Sequence, residues 1–338
     1  MKKVFLLALS LLILVPVASA HHGFAPHFFQ DRLVRIEGTI RQFDFINPHS
    51  FLYINSINDA GETVVYVCDM QAKTQLVRRG VGKDMFKVGE KIVVDGFPAR
   101  RNPLGCEFGR AYFADGSEFT GRSIDKARTQ FAEDVTVSLE EDDNRTIFGT
   151  WIRPGMDGDM SGSGPYYGFD SVTAAGQAAS DAYDPITERP VLFCEPEGPA
   201  RQWRPPGLAT SIRREGDKVI IYHESMDTTR VVHLNQTQHP ADAERTRMGH
   251  SIGRFEGDAL VIETAAFSNG VFTGSNMHTE NMTMQERLSI QPETGRLLIA
   301  WTAIDSAYYS EPVGGSQVLQ RTNREMIPYE CIPGSPLE

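Results

Sequence analysis

The chain has no Cys-x-x-Cys pair, no Gly-x-Gly-x-x-Gly or phosphate-cradling loop, no basic run and only one long apolar stretch. Without the first, redox and zinc-ribbon chemistry lack support. Without the second, nucleotide cofactors lack it too. Lys and Arg number 33 against 44 Asp and Glu, a net charge of −11, which argues against nucleic acid or an anionic membrane as the main partner. With 41% hydrophobic and 23% charged residues, the composition excludes a disordered or fibrous chain.

The one apolar stretch, Val4 to Val15, follows Lys2-Lys3 and precedes Ala18-Ser19-Ala20, the order a secretory signal requires. It stops at Pro16, short of the roughly 20 apolar residues a membrane helix needs. Cleavage after Ala20 would leave 31 basic against 44 acidic side chains. The expectation is a periplasmic or secreted bacterial protein with no membrane span. Cys68, Cys106, Cys194 and Cys331 all survive cleavage, and in an oxidising compartment two disulfides are the default. Of three possible pairings, Cys68–Cys106 and Cys194–Cys331 are preferred, because each then stays inside one proposed domain.

Length suggests two domains. Short alternating stretches read as strands over 34–45, 50–57, 63–70, 91–97 and 107–114, with a helix over 72–79 closed by Gly80. A helix between strands three and four of five is the order of an oligonucleotide/oligosaccharide-binding (OB-like) barrel. After an acidic linker over 121–145 come Gly149-Thr150-Trp151, a helix over 172–183 capped by Ser171, and eight further strands. Turn signals such as Glu256-Gly257-Asp258 join several of them. The fold class is therefore all-β: a signal over 1–20, a small five-stranded OB-like barrel over 21–120, and a larger antiparallel, lipocalin-like barrel or curved sheet over 146–338.

Some of these residues carry a resemblance. His21-His22-Gly23-Phe24, Glu37-Gly38-Thr39, Asn47-Pro48-His49 and Arg78-Arg79-Gly80, in that order, resemble an uncharacterised family of secreted bacterial proteins, a domain of unknown function, over about residues 21–120. Cys194-Glu195-Pro196, His239-Pro240, the run from Met248 to Arg254, Glu256-Gly257-Asp258 and Glu286-Arg287 resemble a second uncharacterised bacterial module. Phe255 departs from the Trp, and Asp305-Ser306 from the Asp-Pro, of that module. Gly149-Thr150-Trp151 resembles the opening of lipocalins. None of these implies a reaction.

Two candidate sites follow from the residues themselves. Period-two alternation places Glu286 on an apolar stripe with Met284 and Leu288, where a carboxylate is costly unless paired or functional. Glu224, Arg230, His250, His278, Glu286, Trp301 and Asp305 are expected to converge in one cavity. There Glu224, Arg230, Trp301 and Asp305 would bind a ligand, while Glu286 with His250 or His278 would move protons. The bland alternative is a buried Arg230–Glu286 ion pair. The second site is the processed terminus, where the α-amine and imidazole of His21, with His22, His27 or His49, would chelate copper or zinc.

The function expected is binding of a small, partly apolar organic ligand in the second barrel, with no required cofactor. The alternatives are a cofactor-free acid/base enzyme (lyase, hydratase, isomerase or hydrolase) and a copper-binding protein. Oligomeric state is not legible.

Overall fold

A computed structural model of the protein describes residues 27–121, 145–153 and 164–334. The signal segment, His21, His22, most of the acidic linker and much of the Gly/Ser/Asp/Met loop lie outside the described residues.

The first unit is built from β1 (Val34–Asp44), β2 (Phe51–Ile57), β3 (Thr63–Asp69), α1 (Lys73–Arg78), β4 (Lys91–Pro98), β5 (Gly105–Phe113) and β6 (Glu118–Thr120). The sheet runs β3-β2-β1-β4-β5-β6, and a parallel β3–β5 pairing closes its first five strands into a barrel. Alternate residues turn inward, and Ile36, Ile40, Leu52, Ile54, Val94 and Phe108 fill the interior. Gly38 lets β1 and β2 approach closely, since a Cβ there would lie 2.0 Å from the Asn55 carbonyl oxygen. Cys68–Cys106 bridges the strands that close the barrel.

The second unit is a closed nine-stranded barrel. Its strands are β7 (Gly149–Ile152), β8 (Ala209–Glu215), β9 (Lys218–His223), β10 (Thr228–His233), β11 (His250–Glu256), β12 (Ala259–Ala265), β15 (Thr283–Ile290), β16 (Leu297–Ile304) and β17 (Val313–Arg321). A separate hairpin of β13 (Gly270–Thr273) and β14 (Asn276–His278) stands apart from the barrel's strand order. Tight turns set the meander; Gly257, at φ 63°, takes the left-handed position between β11 and β12. The barrel departs from a wholly antiparallel one at the β10–β11 join, which is parallel over two residue pairs.

The helix expected over 172–183 is α2 (Ala174–Ala182), with Thr173 as its cap. Ser171 is occupied otherwise, donating its hydroxyl to the Gly168 carbonyl at 2.6 Å. Before β8 the short α3 (Pro199–Gln202) carries Trp203 into the barrel core.

The barrels are joined by buried polar contacts. The Arg78 guanidinium donates to both carboxylate oxygens of Glu224 at 2.5 Å, and Gln75 donates to the Pro206 carbonyl at 2.6 Å. The carboxyl-terminal segment runs along this junction. Ile327 N–H donates to Glu224, Tyr329 N–H to Asp227, and Ile332 N–H to the Asn47 carbonyl. Cys194–Cys331 ties that segment back to the loop before α3.

Candidate functional site

Partners across a register share a face, so the register alone locates the barrel interior. Glu286 on β15 pairs with Ile262 on one side and Trp301 on the other. Thr264 pairs with Met284 and with Ser251, and His223 with both Thr210 and Thr228. Below these lies an apolar layer that includes Trp151, Ile221, Leu288 and Ile299. Above them lies a second, with Phe272, Met282, Met284 and Trp301. A polar layer is thus sandwiched between two greasy ones.

Glu286 and Arg230 meet in that layer, 0% and 2% exposed, as an ion pair through Arg230 Nη2 and Glu286 Oε2. The Trp203 indole N–H donates to Glu286 Oε1 at 2.8 Å. Arg230 also donates from Nε to Ser251 Oγ at 2.9 Å and from Nη2 to Thr264 Oγ1 at 2.7 Å. Oε1 thus accepts the indole hydrogen, while Oε2 lies against the Arg230 charge without a hydrogen-bond partner among the described residues.

His223, absent from the expected site, is the third member. Its Nδ1 lies 2.8 Å from Thr210 Oγ1, and its ring sits edge-on to Trp203 at 4.8 Å. Burial, and then the Arg230 charge, lower its pKa to about 3, so the imidazole is neutral at physiological pH. Two buried nitrogens of this layer, Arg230 Nη1 and His223 Nε2, have no hydrogen-bond partner among the described residues. Buried polar atoms of that kind are rare and call for an explanation.

Between α3, the β13–β14 hairpin and β15 lies a narrow void with room for about 10 Å³. Its walls include Ala200, Val271, Phe272, His278, Met282 and Met284, with Glu197 and Arg247 among the lining residues. Most of that space is narrower than a water molecule, so an occupant has to shift the flexible methionines. Met284, which lines the void, is the direct register partner of Thr264, whose hydroxyl accepts from Arg230.

The expected convergence is only partial. Arg230, Glu286 and Trp301 face the interior, and His278 lines the void. His278 Nδ1 lies 3.1 Å from the Thr279 carbonyl, and its pKa is lowered by burial. Glu224 does not join them. It follows β9 rather than belonging to it, and it is spent on Arg78, the Ala209 N–H and the Ile327 N–H. Asp305 accepts from Thr279 N–H at 2.6 Å and from its hydroxyl at 3.0 Å, closing the turn after β14.

His250 is not brought to Glu286. Its neighbour Ser251 takes the inward position, while His250 stacks on His233 at 5.0 Å, with its Nδ1 2.9 Å from His239 Nδ1. Burial, and then those two neighbours, lower its pKa. A Glu286–His250 proton relay therefore has no geometric basis.

In the first barrel His49 Nδ1 lies 2.7 Å from Asp69 Oδ1. Burial alone would depress its pKa; the Asp69 and Glu107 carboxylates outweigh that and raise it. His27 lies near enough to respond to both His49 and Asp69, and its pKa is lowered mainly by burial. Among the described residues no group of three or more His, Cys, Asp or Glu side chains is placed to hold a metal ion.

Comparison with known proteins agrees with the first-barrel resemblance. Residues 10–107 match a family described as a family of unknown function (DUF6152). No curated protein matches the chain. Among solved structures it is similar to a crystal structure of a point mutant of the fluorescent protein UnaG, with 13% identity and a TM-score of 0.26. The match covers 52% of this chain and 96% of that one, a likeness too distant to transfer a function.

Proposed function

We propose that this is an exported protein whose second barrel takes up a small, partly apolar organic molecule. The carrying observation is the pair of buried nitrogens in the barrel interior, Arg230 Nη1 and His223 Nε2, that have no hydrogen-bond partner among the described residues. Apolar walls over a few convergent polar groups are the general form of a ligand site. At about 10 Å³ the void is far below the roughly 300 Å³ at which such sites usually begin, so the methionines have to open it before an occupant enters. Two disulfides suit an oxidising compartment, and among the described residues no helix is long and apolar enough to cross a membrane.

Titration with the neutral, apolar dye phenylnaphthylamine tests the reading. Saturable enhancement of dye emission is expected, and it should be lost in Met284→Trp, which fills the cavity from its floor. Emission that never saturates, or that is unchanged in a folded Met284→Trp protein, would refute it.

One observation favours a second reading, copper or zinc at the first barrel. Asp69 holds His49 Nδ1, leaving Nε2 as the free nitrogen, the way a carboxylate orients a metal-binding imidazole. On this reading the processed terminus supplies the remaining ligands. Cu(II) affinity should fall in His49→Ala and in a protein bearing one extra leading residue before His21. Equal affinity in all three eliminates the chelate.

A further inference from the structure

The outer wall of the second barrel gathers three histidines where its strand order is irregular. β10 ends at His233 and β11 begins at His250, and the two run parallel over only two residue pairs, Val232 with Ser251 and His233 with Ile252. Side chains alternate along a strand, so with Val232 and Ser251 buried in the interior, His233 and His250 turn outward. The connection between them carries His239 back over the same wall. All three imidazoles are half-buried.

His233 lies flat on His250, with ring planes 9° apart and centroids 5.0 Å apart, which steadies the plane of the His250 ring. His239 stands across His250 at 82°, and the two Nδ1 atoms are 2.9 Å apart. Two neutral rings that meet in this way share one proton, one donating Nδ1–H and the other accepting it. The same spacing suits an ion. Nitrogens bound at about 2.0–2.1 Å and at right angles lie about 2.9 Å from each other, whereas tetrahedral ligands lie about 3.3–3.4 Å apart. Neighbouring positions on a square-planar or octahedral ion are the match, and of the divalent ions that imidazole favours, Cu(II) binds tightest while Ni(II) shares the geometry.

We propose that His239 Nδ1 and His250 Nδ1 form a chelate for Cu(II), with Ni(II) as the weaker occupant, on the outer wall of the second barrel. Binding turns each ring until both Nδ1 lone pairs meet at one point, and it moves the donor ring's proton to Nε2. No proton is lost, and both rings stay neutral. Among the described residues no third His, Cys, Asp or Glu joins the pair as a ligand. His239 also opens on a groove with room for about 410 Å³, whose walls include Glu263, Thr283, Gln285 and Thr302 and, among the described residues, no lysine or arginine. Glu263 is paired with Arg254 at 2.5 Å, so the chelate does not depend on it. The ion's other positions therefore stay open on that side to water or an exchangeable donor. Both imidazoles lie in segments the sequence singles out, His239-Pro240 and the run from Met248 to Arg254, and neither reading above employs them.

The test titrates the full chain with Cu(II) against glycine as a competing chelator. The chain bears one extra leading residue before His21, which removes the terminal chelate. Calorimetry gives the affinity, and electron paramagnetic resonance counts the coupled nitrogens. One ion per chain with two imidazole nitrogens is expected. His239→Gln and His250→Gln should each weaken binding at least about tenfold, the scale seen even when only the supports of metal ligands are removed. His233→Phe, which keeps a stacking ring, should leave the nitrogen count unchanged. Equal affinity in all forms overturns the chelate, and so does a loss in only one of the two Gln variants, which would mean a single surface imidazole. Should a variant not fold, the histidine ring signals of the same chain decide. Substoichiometric Cu(II) should broaden those of His239 and His250 first, and broadening that spares either ring refutes the proposal.

Discussion

Replacing Glu286 by Gln is the sharpest perturbation of the barrel interior, because it keeps the shape and the acceptor for Trp203 while removing the charge. Glu286 is 0% exposed and its partner Arg230 2% exposed, so solvent screens neither. Removing one member of such a pair leaves the other charged and buried, at a cost of about 3–5 kcal/mol. In a barrel of this size each kcal/mol moves the midpoint by about 2–4 °C, so Tm should fall by roughly 6–20 °C. Urea unfolding followed by far-UV dichroism and tryptophan fluorescence measures the loss directly. The double variant Arg230→Met/Glu286→Leu removes both charges. It should recover most of the stability, less about 1 kcal/mol for each of three lost bonds, those of Arg230 to Ser251 and Thr264 and that of Trp203 to Glu286. A single-variant loss below about 1 kcal/mol would mean the pair is wet. A double variant costing the sum of the two singles would mean the charges are not coupled. Either result overturns the account of the polar layer.

Three other outcomes follow from the same geometry. His223 binds its proton only near pH 3 when folded but near 6.5 when unfolded, so acid favours the unfolded state between those values. Stability should drop by up to about 1.4 kcal/mol per pH unit as pH falls below 6.5, and His223→Gln should flatten that slope; an unchanged slope contradicts a buried neutral imidazole. At the junction, Arg78→Met strands the Glu224 carboxylate. It should cost about 3–5 kcal/mol or split the unfolding curve into two transitions, whereas an unaltered single curve would show that the contact does not couple the barrels. Cys194–Cys331 closes a loop of 137 residues, so reducing it under native conditions should destabilise the protein by about 2–5 kcal/mol. Calorimetry with and without reductant reads this, and no shift would place the carboxyl-terminal segment's anchorage elsewhere, in Glu224, Asp227 and Asn47.

Much of this was legible in the sequence because it is local. Period-two patterning located the strands of both barrels, since a strand half buried must alternate, and it put Arg230, Glu286 and Trp301 on inward faces. Pairing each cysteine within its own unit yielded the two disulfides present. Alternation fails where both faces are covered. Val219, Ile220 and Ile221 are all buried, so β9 has no readable phase. Reading Ile220, Tyr222 and Glu224 as the inner face hid His223, one residue away, and assigned Glu224 to a ligand when it serves Arg78.

The remainder depends on contacts between residues far apart in the chain. Nothing near Trp203 announces that its indole reaches Glu286, 83 residues on, or that Arg78 reaches Glu224 across 146. Local patterning was enough to specify two barrels and to set an ionisable side chain among apolar neighbours. Which cation neutralises that carboxylate, and so which nitrogens are left to bind anything else, was fixed by long-range packing, because burial and partnership are properties of the assembled interior.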